Sequence, residues 1–511
     1  MSENKYYQDI PKEKFVFVDN ADRLHDKKLD TKPISYFKDV MMRFSRNRAS
    51  VAAAIIIMFL FLYAVFGPMI GRNQYTVSLT DTMYLNYGKL PPKSKYLAFL
   101  GMDGTSKVTL NEPEYLALRA IAVETGLDPV VEIYREAYTD PTASPNARFY
   151  DIRLDNYYRM GMFHLTFTPE QYEDLQAWQN KSGIQVIFPS ITDARQNDGN
   201  IWYKANNKGV PTLDKEGNFI PIYRTTSPSD TSYNSLRIAS DNNPEKPFAY
   251  ARVTGTSTAR SYVCRVSKYN YFIYRYGFEP AFPFGTTDRG QDIFTRLAAA
   301  ARFSFVLSIL VSSVNMFIGA IYGAIEGYYG GAIDLMMERI TDILYGIPFI
   351  VATTLFQLHL AKQVGVVGAL IFAFLLTGWI GMASRVRMQF YRFKRQEYIL
   401  AARTLGASDS RLMFKHIFPN SMGTIITGSV LAIPGVIFSE SSMTYLGIVN
   451  LESSTMTSVG TMLANGRQFL STYPFIIFFP SLFISLLMIS FNLFGNGLRD
   501  AFNPSLRGVE E

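Results

Sequence analysis

Six stretches of apolar residues decide what this chain can become. They run over 51–70, 304–325, 343–361, 364–383, 421–448 and 472–495, each close to the ~20 residues that cross the hydrocarbon of a bilayer. In lipid every backbone N–H and C=O must be satisfied within the protein, so each stretch is expected to be a helix. The expected fold class is an α-helical membrane protein with six transmembrane helices. The first stretch, VAAAIIIMFLFLYAVFGPMI, follows a polar tail of about 50 residues, and no small-x-small cleavage site comes after it. A signal peptide starts near the N-terminus and has a shorter core, so 51–70 reads as a retained span.

An even number of spans leaves both termini on one side, and basic residues in short loops mark the cytoplasmic side. Lys38, Arg43, Arg46 and Arg48 precede the first span. Arg385, Arg387, Arg392, Lys394, Arg395, Arg403, Arg411 and Lys415 follow the fourth, and Arg499 and Arg507 follow the last. All three groups share a face if the termini are cytoplasmic. One segment dissents: 326–342 belongs on that face yet carries Glu326, Asp334, Glu338 and Asp342 against Arg339. The net charge of +7 is read as topology, and no RNA-binding or zinc-finger pattern accompanies it. The expected organisation is a cytoplasmic tail (1–50), the first span (51–70), an inserted extracellular domain (71–283), a five-helix core (284–498) with a cytoplasmic loop at 385–420, and a cytoplasmic tail (499–511).

Residues 71–283 are far too many for a structureless loop. Thr168-Pro169-Glu170-Gln171 is a helix start, with an N-cap, a proline in the first turn and a capping-box glutamine, and Gly183 ends that helix. Residues 112–124 and 128–138 also read as helices. Residues 184–188 and 250–276 are rich in β-branched and aromatic side chains and read as strands. The insertion is expected to be α+β. Its single cysteine, Cys264, allows no disulfide within the chain and reads as an inert packed thiol. His25, His164, His359 and His416 are scattered without metal-ligand spacing, so no metal site is expected.

Small and polar residues within the spans carry further information. Gly319, Gly323 and Gly327 recur at every fourth position and let a second helix approach closely. Pro348, Pro434 and Pro480 each remove a backbone donor and can kink a helix; such kinks serve moving gates and static bundles alike. Glu440 lies in the fifth span, toward its outer end. An ionisable group there is costly, and two readings stand side by side: a pathway or gate residue, or a structural carboxylate bonded to neighbours such as Ser439 or Ser441.

The most informative stretch is Glu397-Tyr398-Ile399-Leu400-Ala401-Ala402-Arg403-Thr404-Leu405-Gly406-Ala407-Ser408, running on to Lys415-His416-Ile417-Phe418-Pro419-Asn420. Residues 396–405 read as a short helix, with Glu397 at its positive end and Gly406 stopping it. Ala401 and Ala402 let something pack closely. Ser408 can cap a second short helix with Asp409 in its first turn. Two short helices at an angle make a rigid knob suited to receiving force from a partner; the plainer reading is an amphipathic surface loop.

These residues resemble the EAA loop of ABC importer permeases. Glu397, Ala401, Ala402, Gly406, His416, Ile417 and Pro419 match, with the spacing of the oligopeptide, dipeptide and nickel branch. The basic Arg-x-x-Arg-Asn-Arg stretch in 36–68, Gly327-Tyr328-Tyr329-Gly330-Gly331, Ser439-Glu440-Ser441 to Tyr445-Leu446-Gly447, and Asn492 to Asp500 with Asn503-Pro504 are similar to further family segments. The resemblance covers roughly 36–72 and 283–507 and points to the C-type member of a permease pair. It implies the six-helix fold of type I ABC importer permeases in a bacterial cell membrane. It also implies a second permease as heterodimer partner, two ATPase subunits that bind the ATP and Mg, an extracellular substrate-binding lipoprotein and a peptide substrate. The 397–406 knob would dock in the ATPase, and Glu440 and Pro434 would serve the pathway or gate.

Three departures from the family pattern stand out. Gly285, Thr286, Gly290 and Asp292 match a motif expected near the receptor side, but Thr287 and Gln291 replace Asp and Arg. The loop after Gly447 lacks the usual Pro-Pro and Trp, with Val459 in the tryptophan's place. About 200 inserted residues replace a short stretch. No phosphate-binding Gly-x-x-x-x-Gly-Lys-[Ser/Thr] loop and no catalytic triad or paired carboxylates occur, so no enzymatic activity and no cofactor are expected of this chain. Two alternatives remain at this level: import of nickel chelates or other small solutes such as short glycosides, and a membrane-anchored receptor or docking protein.

Overall fold

The computed structural model describes residues 36–70, 82–139, 148–188, 212–217, 250–256, 259–453 and 456–502. The outer parts of both expected tails, with His25, Asn503, Pro504 and Arg507, lie outside the described residues.

Among the described residues, five helices are long and apolar enough to cross a membrane: Arg48–Ile70, Ile293–Tyr329, Ala361–Phe393, Asp409–Tyr445 and Phe475–Phe502. In chain order the helices are α1 (Tyr36–Arg46), α2 (Arg48–Ile70), α3 (Glu112–Thr125), α4 (Pro169–Ser182), α5 (Lys268–Tyr276), α6 (Ile293–Tyr329), α7 (Gly331–Tyr345), α8 (Phe349–His359), α9 (Ala361–Thr377), α10 (Ile380–Phe393), α11 (Glu397–Thr404), α12 (Phe418–Tyr445), α13 (Val459–Gly466) and α14 (Phe475–Phe502). The span expected at 343–361 is not one helix. It breaks at Gly346-Ile347-Pro348, and α7 and α8 meet at 73°. Pro348 caps α8 in extended conformation; its ring excludes the helical geometry needed to continue α7 through Ile347. The loop expected from 385 also starts later, because α10 stays helical to Phe393. The second short helix expected after Ser408 is instead the lead-in to a span: Asp409–Arg411 passes through a π turn at Leu412–Ile417 into α12.

Helix α6 is the axis of the bundle and packs against α2, α10 and α12. The glycine ridge explains how closely α10 approaches. A Cβ on Gly323 would lie 2.1 Å from the Ala383 carbonyl oxygen, and one on Gly327 would lie 2.7 Å from that of Arg387. Backbone meets backbone along this seam, as small residues in membrane helices permit. On the other flank Leu60, Leu297, Phe305, Phe483 and Leu487 form the largest apolar core.

Among the described residues, the region between α2 and α6 holds two antiparallel sheets, as expected for α+β. Strands β1 (Thr105–Asn111), β2 (Val130–Thr139) and β3 (Arg148–Asp155) pair in the order β1-β3-β2. In the second sheet β7 (Ala259–Ser267) pairs with β4 (Met162–Phe167) on one edge, and with β5 (Ile187–Phe188) and β6 (Arg252–Thr256) on the other. The capping box expected at Thr168 forms, and a second one forms at Asn111. Two local expectations fail. Residues 128–138 are mostly strand β2, whose register shifts against β3 blur the alternation that marks a strand. Residues 268–276 are helix α5, started by the Ser267 side chain accepting from the Asn270 N–H. The fully buried Arg265 on β7 forms a bidentate pair with Glu124 at the end of α3, at 2.8 and 3.0 Å, and so ties the two sheets together.

Candidate coupling and translocation site

At the end of the bundle where α6 finishes, residues 397–420 form a compact knob. Its underside is apolar: Ile399, Leu412 and Ile417 are fully buried against Phe390 and Val386 of α10. Each such side chain contributes on the order of 1.5–3 kcal/mol. Its crown is exposed, with Leu405 88% accessible and Leu400 and Phe414 also open. Helix α11 ends in a Schellman turn. Gly406 stands at φ +83°, its N–H donates to the Arg403 carbonyl, and the Ala407 N–H donates to the Ala402 carbonyl. Asn420 donates from Nδ2 to the Tyr398 hydroxyl at 3.2 Å and to the His416 carbonyl at 2.7 Å, joining α11 to α12. Glu397, Ala401, Gly406 and Pro419 are all exposed on this unit, while Ala402 and His416 are half-buried.

The knob is wired to the helices. Tyr328, at the end of α6, donates its hydroxyl hydrogen to Asp409 and accepts from Arg403 at 3.2 Å. Lys394 donates to the Gly327 carbonyl at 2.8 Å. Arg387 on α10 pairs with Asp334 at 2.7 Å and Glu338 at 2.7 Å, with Glu326 at 3.6 Å, and Tyr391 also donates to Asp334. The acidic segment that dissented from the charge pattern is therefore matched inside the protein: three of its carboxylates surround one arginine, and Asp342 pairs with Arg339. The sequence marked this cluster only as an anomaly of sign.

Above the knob, a cavity of about 350 Å³ opens between α6, α8, α9, α10 and α12. Its polar groups are Ser312, Asn315, Thr377, Ser429, Ser439 and Arg385. A second cavity of about 280 Å³ lies toward the knob end, lined by Arg385, Arg392, Arg499, Thr424 and Thr427 among others. Arg385 and Gly428 belong to both walls.

Glu440 does not line either cavity. It is fully buried and accepts hydrogen bonds from Ser304 at 3.2 Å, Thr444 at 3.2 Å and Ser441 at 3.4 Å. Pro434 is buried within α12, one residue from the cavity wall at Gly435. At the opposite end of the bundle, Gly285, Thr286, Gly290 and Asp292 are buried in a joint. Thr286 Oγ1 donates to the Tyr87 carbonyl at 2.6 Å and accepts from the Leu90 N–H at 2.8 Å. A Cβ on Gly290 would overlap the Tyr84 carbonyl oxygen at 1.6 Å. Asp292 caps α6 through the Phe294 and Thr295 N–H groups, and burial pushes its carboxyl up to about 6. In this motif Arg289 is the exposed member, and it pairs with Glu452 at 3.1 Å; Arg296 and Asn465 share that carboxylate. Burial works against the Glu452 charge, but these partners outweigh it and hold the carboxyl below its ordinary range. Val459 is fully buried beside Ile437 and Met462.

Comparison with known proteins agrees with this architecture. The family described as binding-protein-dependent transport system inner membrane component matches residues 315–508. The N-terminal TM domain of oligopeptide transport permease C matches residues 35–92. The chain is 43% identical over 224 residues to the oligopeptide transport system permease protein of Bacillus subtilis (strain 168), covering 44% of this chain and 72% of that one. It is 40% identical over 225 residues to the dipeptide transport system permease protein of the same organism, covering 44% and 69%. It is 33% identical over 225 residues to the oligopeptide permease of Escherichia coli (strain K12), covering 44% and 72%.

Proposed function

The chain belongs to the oligopeptide and dipeptide branch of the binding-protein-dependent ABC transport permeases, and from that premise we propose that it forms half of a translocation pathway for peptides, driven through the 397–420 knob by partner ATPases. The observation that carries this reading is the knob itself. It has a buried underside, an exposed apolar crown, and ion pairs and hydrogen bonds that lead into the helices around the cavity. Leu400, Leu405 and Phe414 together give the crown an apolar face that a partner can cover. Glu397, Ala401, Ala402, Gly406, His416 and Pro419 are the contact residues in this reading. ATP and Mg belong to two ATPase subunits, and a second permease completes the pathway. An extracellular lipoprotein delivers peptide, and 71–283 faces it from outside the cell.

The orientation rests on the basic residues near the spans, with both termini and the knob in the cytoplasm. The acidic charge at 326–342 weighs less against it, because Arg387 and Arg339 pair with these carboxylates within the protein and offset part of their charge. In this scheme Glu440 holds α12 to α6, and Pro434 softens α12 beside the cavity.

Gly406→Pro tests the coupling. Proline cannot adopt φ +83° and removes the N–H that closes the turn. ATP-driven peptide uptake is expected to fall at least tenfold while the variant remains in the membrane with its second permease. Unchanged uptake sinks the proposal.

A further inference from the structure

Arg385 sits on Gly428 at the junction of the two cavities. A Cβ at Gly428 would lie 2.8 Å from its guanidinium nitrogen, so the absence of a side chain there is what admits it. Arg385, Arg392 and Arg499 line the lower cavity, and no acidic residue lines either one. Arg387, two residues away on the same helix, is surrounded by three carboxylates; Arg385, Arg392 and Arg499 form no ion pair with any described residue. Three exposed guanidinium groups around one cavity, with no carboxylate in its lining, suit an anion.

The upper cavity supplies the rest of a peptide's needs. Ser312 Oγ and Asn315 Oδ1 are buried on its wall with no hydrogen-bond partner among the described residues. Neutral donors and acceptors of this kind suit the amide groups of an extended backbone. A bidentate arginine suits a carboxylate.

We propose that Arg385 receives the C-terminal carboxylate of the peptide as it passes between the cavities, and that Arg392 and Arg499 continue the cationic path. This rests on the peptide-permease reading above.

The test uses the complete importer, with its second permease, ATPases and receptor, in liposomes with and without anionic lipid. Uptake of trialanine and of its C-terminal amide is measured at concentrations that saturate the receptor. Arg385→Gln is expected to lower uptake of the free acid at least tenfold relative to the amide. Arg385→Lys restores part of the difference, and Gly428→Ala, which crowds the guanidinium, moves the ratio the same way as Arg385→Gln. Subunit recovery in each liposome preparation controls for assembly. Equal losses for acid and amide, or no loss, overturn the assignment. An acid-specific loss that disappears without anionic lipid also overturns it, because a lipid phosphate is then the bound anion. If the unaltered importer assembles and hydrolyses ATP but takes up neither peptide, the peptide reading itself falls, and this inference falls with it.

Discussion

Glu440 shows how a costly group is kept in an apolar helix: hydroxyls of Ser304, Ser441, Thr444 and Ser458 surround one carboxylate. Glutamine can keep the acceptor, whereas leucine strands the hydroxyls at about 1–3 kcal/mol each. Glu440→Gln is therefore expected to retain most of the thermal stability in detergent, and Glu440→Leu to lose several degrees of Tm. Equal behaviour of the two would mean that the acceptor is unimportant. Asp292 makes a different prediction. Its folded carboxyl titrates at about 6 against 3.8 for the ordinary group, so the native state holds its proton more tightly than the unfolded state does. Its stabilising effect is complete below pH ~3.8 and is lost as pH rises to ~6, on the order of 2–3 kcal/mol in all. Asparagine caps a helix as well as aspartate does, so Asp292→Asn should flatten the pH dependence of Tm across that window and leave α6 intact. An unchanged pH profile would count against the shifted carboxyl.

The glycine ridge of α6 belongs to the scale of elements. Gly323→Val places two methyls where the Ala383 backbone lies. Overpacking costs about 1–3 kcal/mol even in forgiving cores, and here the obstacle is main chain. The variant should lose cooperative melting of the α6–α10 pair and recover poorly from membranes, while Val substituted at the exposed Phe317 on the same helix should be neutral. The period-four glycines made this seam readable from sequence alone; the capping box at Thr168 and the stop at Gly406 were readable too, because each is a local rule. The strand at Val130–Thr139 and the helix at Lys268–Tyr276 were not readable in the same way. The strand is decided by pairing with β3, which residue type alone does not report; the helix has a local start at Ser267 and a stop at Gly277, but its many aromatic side chains read as strand. The same holds for the site. The knob was legible as spacing, whereas the Arg387 cluster joins residues some fifty positions apart. The anion site at Arg385 was hidden among many basic residues until the fold separated the paired from the unpaired.

At the scale of the whole molecule, the sheet-bearing region and the helical bundle are joined by hydrogen bonds among residues 87–93 and 282–287. Leu90 and Thr286 exchange hydrogen bonds, Lys89 N–H donates to the Thr287 carbonyl at 2.9 Å, and Lys93 N–H donates to the Phe282 carbonyl at 2.8 Å. Here the segments 89–93 and 282–287 lie side by side. Closing an added loop costs only about 0.6 kcal/mol per doubling of its length, so the bundle is nearly indifferent to how much chain hangs from this point. Replacing the residues between Lys93 and Phe282 with a short glycine–serine turn should leave a protein that still inserts and still recovers its second permease, measured by co-purification. Loss of that partner would show that the sheets brace the helices. If that partner is kept, the joint is a stem: what grows from it should be open to pruning, lengthening or exchange for another module while the helices beneath keep their shape.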